Sequence, residues 1–83
     1  MEHYLIIARS VTYAQRMQRV LGRAGIRSRI FRAPRDLTDR GCAYVLRIAV
    51  PELSRALTAL HRASLDPVQI FLHQHGFYQE VAP

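Results

Sequence analysis

The sequence has little of several residue types on which whole classes of protein depend. It contains one cysteine, Cys42, and no lysine or tryptophan among its 83 residues. A single cysteine excludes an internal disulfide. The lack of a Cys-x-x-Cys pair also excludes a thioredoxin-type redox centre and the cysteine pair of copper chaperones. A lone free thiol is typical of a reducing compartment, so we predict a cytoplasmic protein.

The sequence patterns of the common enzyme families are also missing. There is no glycine-rich phosphate loop, no nucleophile elbow and no His-Glu-x-x-His metal motif. Six acidic residues leave few general bases beyond the four histidines. No apolar run approaches the ~20 residues of a membrane span, and the N-terminal YLIIA is too short for a signal-peptide core. We predict a carrier or binding protein that is not an enzyme, has no cofactor or metal, and binds no membrane.

Positive charge dominates the chain. Twelve arginines oppose six acidic residues, which gives a formal net charge of +6. A basic protein attracts nucleic acid, anionic ligands or acidic partners. Arginine without lysine is also what codon bias in a GC-rich genome would produce, and the arginines are spread along the chain rather than gathered in a basic tail. Charge alone therefore does not name a partner.

The periodicity of apolar residues predicts strands at residues 3–9, 26–33, 42–49 and 68–73. Helices are predicted from 11 to 24, where Gly25 suits the position after the helix, and from Pro51 to the break at Asp66-Pro67. The order βαββαβ predicts a ferredoxin-like α+β sandwich, with two helices on one face of a four-stranded antiparallel sheet. Residues 1–73 would form this domain, and residues 74–83 a C-terminal tail or an added short strand.

Alternation within the strands predicts which side chains face the helices. The predicted helix-facing set is Cys42, Tyr44, Leu46, Ile48, Val68, Ile70 and Leu72. The predicted open face carries Arg29, Phe31, Val45, Arg47, Phe71 and His73. The first strand is apolar on both faces, which is typical of a central strand or of a sheet covered by a second subunit.

Cys42 is the strongest candidate for chemistry, because it lies where a polar loop meets the third strand. Arg35 and Arg40 precede it, and nearby cations lower the pKa of a thiol and favour the reactive thiolate. We predict that these two arginines stabilise an anion on Cys42. The alternative is a structural thiol, since Cys42 shares the parity of Tyr44 and free cysteines are often buried. The residues alone leave both interpretations open.

Four short stretches resemble a known family of small bacterial domains. They are SVTYA at 10–14, AGI at 24–26, APR at 33–35 and GCAY at 41–44. Together they resemble the selenium/sulfur carrier protein-like family over about residues 3–72. The resemblance implies that Cys42 bears a sulfur or selenium atom as a persulfide-type adduct, received from a donor protein and passed to an acceptor. Many relatives have a second glycine after this cysteine, where the present chain has Ala43.

The open face supports a rival function. Arg29, Phe31, Arg47 and Phe71 would together resemble the aromatic and basic surface of an RNA-binding sheet. The RNP1 pattern is absent, and aromatic residues with arginine are also enriched at subunit interfaces, so the composition favours a homodimer over nucleic acid. A regulatory subunit of a larger complex is a third alternative.

Two histidines near the C-terminus, His73 and His75, would share a face if the fourth strand continued through both. Two ligands do not complete a metal site, so we predict solvated histidines rather than a metal centre.

Overall fold

The computed structural model describes residues 2–34, 37 and 44–81. Over these residues the protein is α+β, with two helices and five strands. In chain order they are β1 (His3–Ala8), α1 (Val11–Arg23), β2 (Arg29–Arg32), β3 (Tyr44–Ala49), α2 (Leu53–Arg62), β4 (Gln69–Gln74) and β5 (Phe77–Val81). A 3₁₀ turn, Val50–Glu52, leads into α2 and contains the predicted helix-starting Pro51.

The strands form one antiparallel sheet in the order β2-β3-β1-β4-β5. The first strand lies at the centre, between β3 and β4. Leu5, Ile6, Ile7 and Ala8 are all buried. Of the two interpretations of this unbroken apolar run, the central strand is the one observed.

The predicted count of four strands is wrong, because the C-terminal residues add a fifth. His75 and Gly76 have positive φ angles of 52° and 78° and connect β4 to β5. Positive φ at both central residues is the requirement of a type I′ hairpin turn. Of the two predicted forms of the C-terminus, the added strand is the one observed. Residues 77–81 pair with β4 in antiparallel orientation and belong to the same sheet.

Both helices pack on one face of the sheet. The main core joins Met17 and Leu21 of α1 and Leu60 of α2 to Ile6 and Leu46 of the sheet. Strand register places Tyr44, Ile48, Ile70 and Leu72 on this same side. These residues confirm the predicted helix-facing parity of strands three and four. None of the described helices is both long and apolar enough to cross a membrane.

The ends of α1 follow the sequence signals. Ser10 accepts a hydrogen bond at its Oγ from the Tyr13 backbone N–H at 3.1 Å, which satisfies one of the unpaired donors of the first turn. At the other end Ile26 N–H donates to Leu21 O at 2.9 Å and Gly25 N–H donates to Gly22 O at 3.0 Å. Gly25 has φ +78°. This arrangement is a Schellman motif and directs the chain into β2.

Two glycines at this helix end predict opposite changes in stability. Gly25→Ala should lower the free energy of unfolding by about 1–2 kcal/mol, because alanine is strained at positive φ. Gly22→Ala should raise it by about 0.5–1 kcal/mol, because Gly22 lies within α1 and an added Cβ meets nothing within 4 Å. Urea denaturation of both variants measures the difference. Equal changes of the same sign would contradict the assignment of Gly25 to the left-handed position.

Candidate functional site

The predicted chemical residues belong to the segment that joins β2 to β3. Cys42, Arg35 and Arg40 lie outside the described residues, so their predicted arrangement stays a prediction. The structure describes where this segment leaves β2 at Arg32, and where it rejoins the sheet at Tyr44. The candidate site is therefore built from the described residues at these two points.

The end of β2 and the start of β3 lie at the same end of the sheet. We call this end the Tyr44 edge, and it consists of Ala8, Arg9, Ser10, Arg32 and Tyr44. Tyr44 pairs with Ala8, the last residue of β1, and with Arg32, the last residue of β2. The guanidinium carbon of Arg32 lies 6.0 Å from the centroid of the Tyr44 ring, within the range of a cation–π contact. An arginine therefore lies directly beside the start of β3.

The N-terminus of α1 lies at the same edge, because the helix follows β1 after only two residues. Its first turn contains no acidic residue that would offset the positive end of the helix dipole. The guanidinium carbon of Arg9 lies 4.8 Å from the centroid of the Tyr13 ring. The hydroxyl of Tyr13 donates to Ser64 O at 3.4 Å, just beyond the end of α2. The helix dipole and Arg9 add positive charge at this edge.

Sequence reasoning did not assign Arg9 or Arg32 to the site. Arg9 directly precedes the motif SVTYA, and Arg32 directly precedes APR. Adjacency in sequence does not show which arginines lie at the same end of the sheet. The antiparallel pairing of β1, β2 and β3 brings Arg9 and Arg32 to one edge. Their convergence is a property of the sheet.

Leu37 fixes the middle of the connecting segment to the open face of the sheet. Its side chain is 7% exposed and packs in a second apolar cluster with Leu5, Ile7, Val45 and Phe71. Its backbone N–H donates to Pro34 O at 3.0 Å. The connecting segment is thereby held at Leu37 as well as at its two ends.

The predicted interaction residues do share the open face. Arg29 pairs with Arg47, and Phe31 with Val45, in the β2–β3 ladder, while Phe71 lies beyond Leu5 on β4. Their accessibility differs: Phe31 is 36% exposed, whereas Phe71 is 9% exposed in the cluster of Leu37. In this conformation Phe71 cannot present its ring to a nucleic acid base.

The two C-terminal histidines do not form a strand pair. His73 lies in β4 and stacks on Tyr78 of β5, with ring centroids 4.5 Å apart and an interplanar angle of 13°. His75 is a turn residue with φ 52°, so the strand alternation that would align it with His73 ends before it. Within the described part of the chain, no three His, Asp, Glu or Cys side chains group closely enough to hold a metal ion.

Comparison with protein-family models identifies the family of this chain. A family model described as "Putative Se/S carrier protein-like" matches residues 3–72, which is most of the chain. The chain belongs to this family. No curated protein and no solved structure matches it. The description of the Se/S carrier protein-like family names a carrier, a class of protein that receives an atom from a donor and passes it on.

The family match includes one part of the sheet and leaves out another. It covers β1 to β3 and both helices, and it ends at Leu72 within β4. The hairpin turn and β5 lie beyond the matched range. The Tyr44 edge lies entirely within it, so the candidate site is part of the portion that this chain shares with the family.

Proposed function

We propose that the protein carries a sulfur or selenium atom on Cys42 as a persulfide-type adduct. Membership of the Se/S carrier protein-like family is the observation that carries this proposal. Cys42 is the only cysteine in the sequence, so it is the only thiol that can accept the atom. The cytoplasm, which keeps thiols reduced, is the compartment that suits such a carrier.

The Tyr44 edge supports this role through its charge. Only Ala43 lies between Cys42 and Tyr44, so covalent geometry keeps the Cα atoms of these two residues within about 7 Å. Tyr44 in turn pairs with Arg32 and with Ala8, which directly precedes Arg9. Cationic side chains and a helix N-terminus lower the pKa of a nearby thiol and stabilise its thiolate. Arg35 and Arg40, close in sequence, are proposed to act in the same way.

The proposed reaction is a thiol–persulfide exchange. The Cys42 thiolate attacks the outer sulfur of a persulfide on a donor protein, a new S–S bond forms at Cys42, and the donor's S–S bond breaks to release its thiolate. The electron count is unchanged, so no external oxidant is required. Delivery is the same step in reverse direction, with a nucleophile of the acceptor attacking the outer atom. Selenium would follow the same course.

We also propose that β1 to β4 and the two helices form a ferredoxin-like sandwich to which β5 is added. The order βαββαβ and the placement of both helices on one face support this description. In such a sheet the loop between β2 and β3 leaves at the edge where α1 begins. The two ends of the connecting segment, at Arg32 and Tyr44, therefore lie at the same end of the sheet as the N-terminus of α1.

Intact-mass measurement tests the carrier role. Incubation with a cysteine desulfurase and cysteine should add the mass of one sulfur atom to the wild-type protein and none to Cys42→Ser. Reductant should remove the added mass, because a persulfide is reducible. An unlabelled wild-type protein, or equal labelling of Cys42→Ser, would contradict the proposal.

The same assay tests the Tyr44 edge. Arg9→Gln and Arg32→Gln should slow labelling at neutral pH, because each removes a positive charge that favours the thiolate. Arg16→Gln, on the exposed side of α1, is the matched control and should label at the wild-type rate. If all three variants slow labelling equally, the effect is one of net charge and the edge has no special role.

A further inference from the structure

A second positive region lies on the open face, away from the Tyr44 edge. The register of β2 and β3 places Arg29 directly opposite Arg47. Directly opposed residues in an antiparallel pair have Cβ atoms about 4.5–5.5 Å apart, and like charges there destabilise the sheet. Two arginines at such positions therefore oppose folding unless something neutralises them.

His3 extends this region onto β1. It pairs with Ala49 on one side and with His73 on the other, and it is the diagonal neighbour of Arg47, whose own partner is Leu5. Burial, and next to it the positive charge of Arg47, holds the pKa of His3 below its ordinary value of 6.5, and His73 adds to the effect. The charges of this region thus act on one another. We call Arg29, Arg47 and His3 the open-face basic patch.

None of the described carboxylates balances the patch. Glu52 pairs with Arg55 at 2.6 Å, and Asp66 lies 3.5 Å from His61. Glu80 shares the open face but is on β5, three strand spacings or about 14 Å from Arg47. The remaining described acid, Glu2, precedes β1 with the parity opposite to His3. The patch is therefore left with uncompensated positive charge among these residues.

We propose that the open-face basic patch binds a phosphate group of a ligand. Two arginines at directly opposed strand positions can both donate to one phosphate. Charge-assisted hydrogen bonds between a guanidinium group and phosphate oxygens are about twice as strong as neutral ones. Arg29 and Phe31 are both exposed, so a ligand reaches the patch from solvent and has an aromatic ring beside it. Leu37 and Phe71 pack in the apolar cluster beside the patch, so that part of the open face is covered.

This site is separate from the proposed carrier chemistry. Arg47 lies three residues along β3 from Tyr44, about 10 Å from the Tyr44 edge. Phosphate binding at the patch is therefore independent of sulfur transfer at Cys42. The patch also differs from the predicted interaction face, because Phe71 is buried and His3 takes part.

Titration calorimetry and NMR of the full chain test the site. Pyrophosphate should bind at low salt, and Arg29→Gln and Arg47→Gln should each weaken binding about tenfold or more through the loss of a charge-assisted bond. Binding should raise the pKa of the His3 imidazole, because the anion offsets the charge of Arg47. Arg16→Gln is the matched control and should bind as the wild type does, and Cys42→Ser should also bind normally.

A parallel titration with a single-stranded oligonucleotide distinguishes the source of the phosphate. Tighter binding of the oligonucleotide, with a steep dependence on salt and the same loss in Arg29→Gln and Arg47→Gln, would assign the patch to a nucleic acid. Equal affinity for pyrophosphate would assign it to a small phosphorylated ligand. Absence of binding in both titrations overturns the proposal, and so does an equal loss of affinity in Arg16→Gln.

Discussion

Leu60→Ala is expected to lower the free energy of unfolding by about 2–5 kcal/mol, because it leaves a cavity in a core that cannot fully close. Leu60 is fully buried and lies in the same cluster as Met17, Leu21 and Leu46, where α1, α2 and the sheet meet. A domain of this size has a stability of about 4–12 kcal/mol, so the loss is a large fraction of the total. The melting temperature should fall by about 10–30 °C.

Leu57→Ala is the matched control for this experiment. It lies one turn earlier on the same helix and is only partly buried, so the change in helix propensity is the same while less apolar surface is lost. Leu57→Ala should lower the free energy of unfolding by less than about 1.5 kcal/mol, as measured by urea denaturation monitored by circular dichroism. Equal losses at Leu57 and Leu60 would contradict the described packing of α2.

Leu37→Ala is expected to release residue 37 from the open face of the sheet. Leu37 packs on Leu5, Ile7, Val45 and Phe71, and it supplies the covering side chain of that cluster. The free energy of unfolding should fall by about 2 kcal/mol, the lower part of the range for buried leucine, because a surface segment can readjust. Fluorescence of an apolar dye should rise as Phe71 becomes exposed.

Hydrogen exchange shows whether Leu37→Ala loosens the chain locally at residue 37. In the wild type the amide of residue 37, bonded to Pro34 O, should be protected, and in Leu37→Ala it should exchange much faster. Val68→Ala, at a site 36% exposed, is the control and should change stability by less than about 0.5 kcal/mol. An unprotected amide at residue 37 in the wild type would show that the segment is not anchored there.

A faster rate of sulfur labelling in Leu37→Ala would indicate that the anchor limits access to Cys42. A slower rate would indicate that the anchor holds Cys42 near the Tyr44 edge. The two results have different physical causes, and the labelling assay separates them without any further variant.

Sequence periodicity predicted the helices and the first four strands because their signals are local. Ser10 and Gly25 mark the ends of α1 through their own backbone chemistry, and the structure shows both in these roles. The alternation in β3 and β4 predicted the helix-facing and open-face sets, since a strand turns every second side chain to the same side. The continuous apolar run of β1 indicated a strand covered on both faces, which fitted either a central strand or a second subunit, and the structure shows the central strand.

The fifth strand was only partly predictable. Its connection, His75-Gly76, is not one of the dipeptides most typical of a type I′ turn, and FYQEV is short. Residues 77–81 form a strand because β4 offers an open edge with which they pair. The periodicity of a segment does not show whether a neighbouring strand is available for it to pair with. The sequence therefore could not distinguish a C-terminal tail from an added strand.

By itself the sequence determined the order of the elements, the faces of their side chains, the single thiol and the family to which the chain belongs. Only the tertiary structure decided that Arg9 and Arg32 both lie at the Tyr44 edge, that Leu37 packs with Phe71, and that Arg29 lies opposite Arg47. Helix and strand signals arise from residues a few positions apart. Charge clusters and burial depend on which distant strands are neighbours, and that choice is made by packing the whole core.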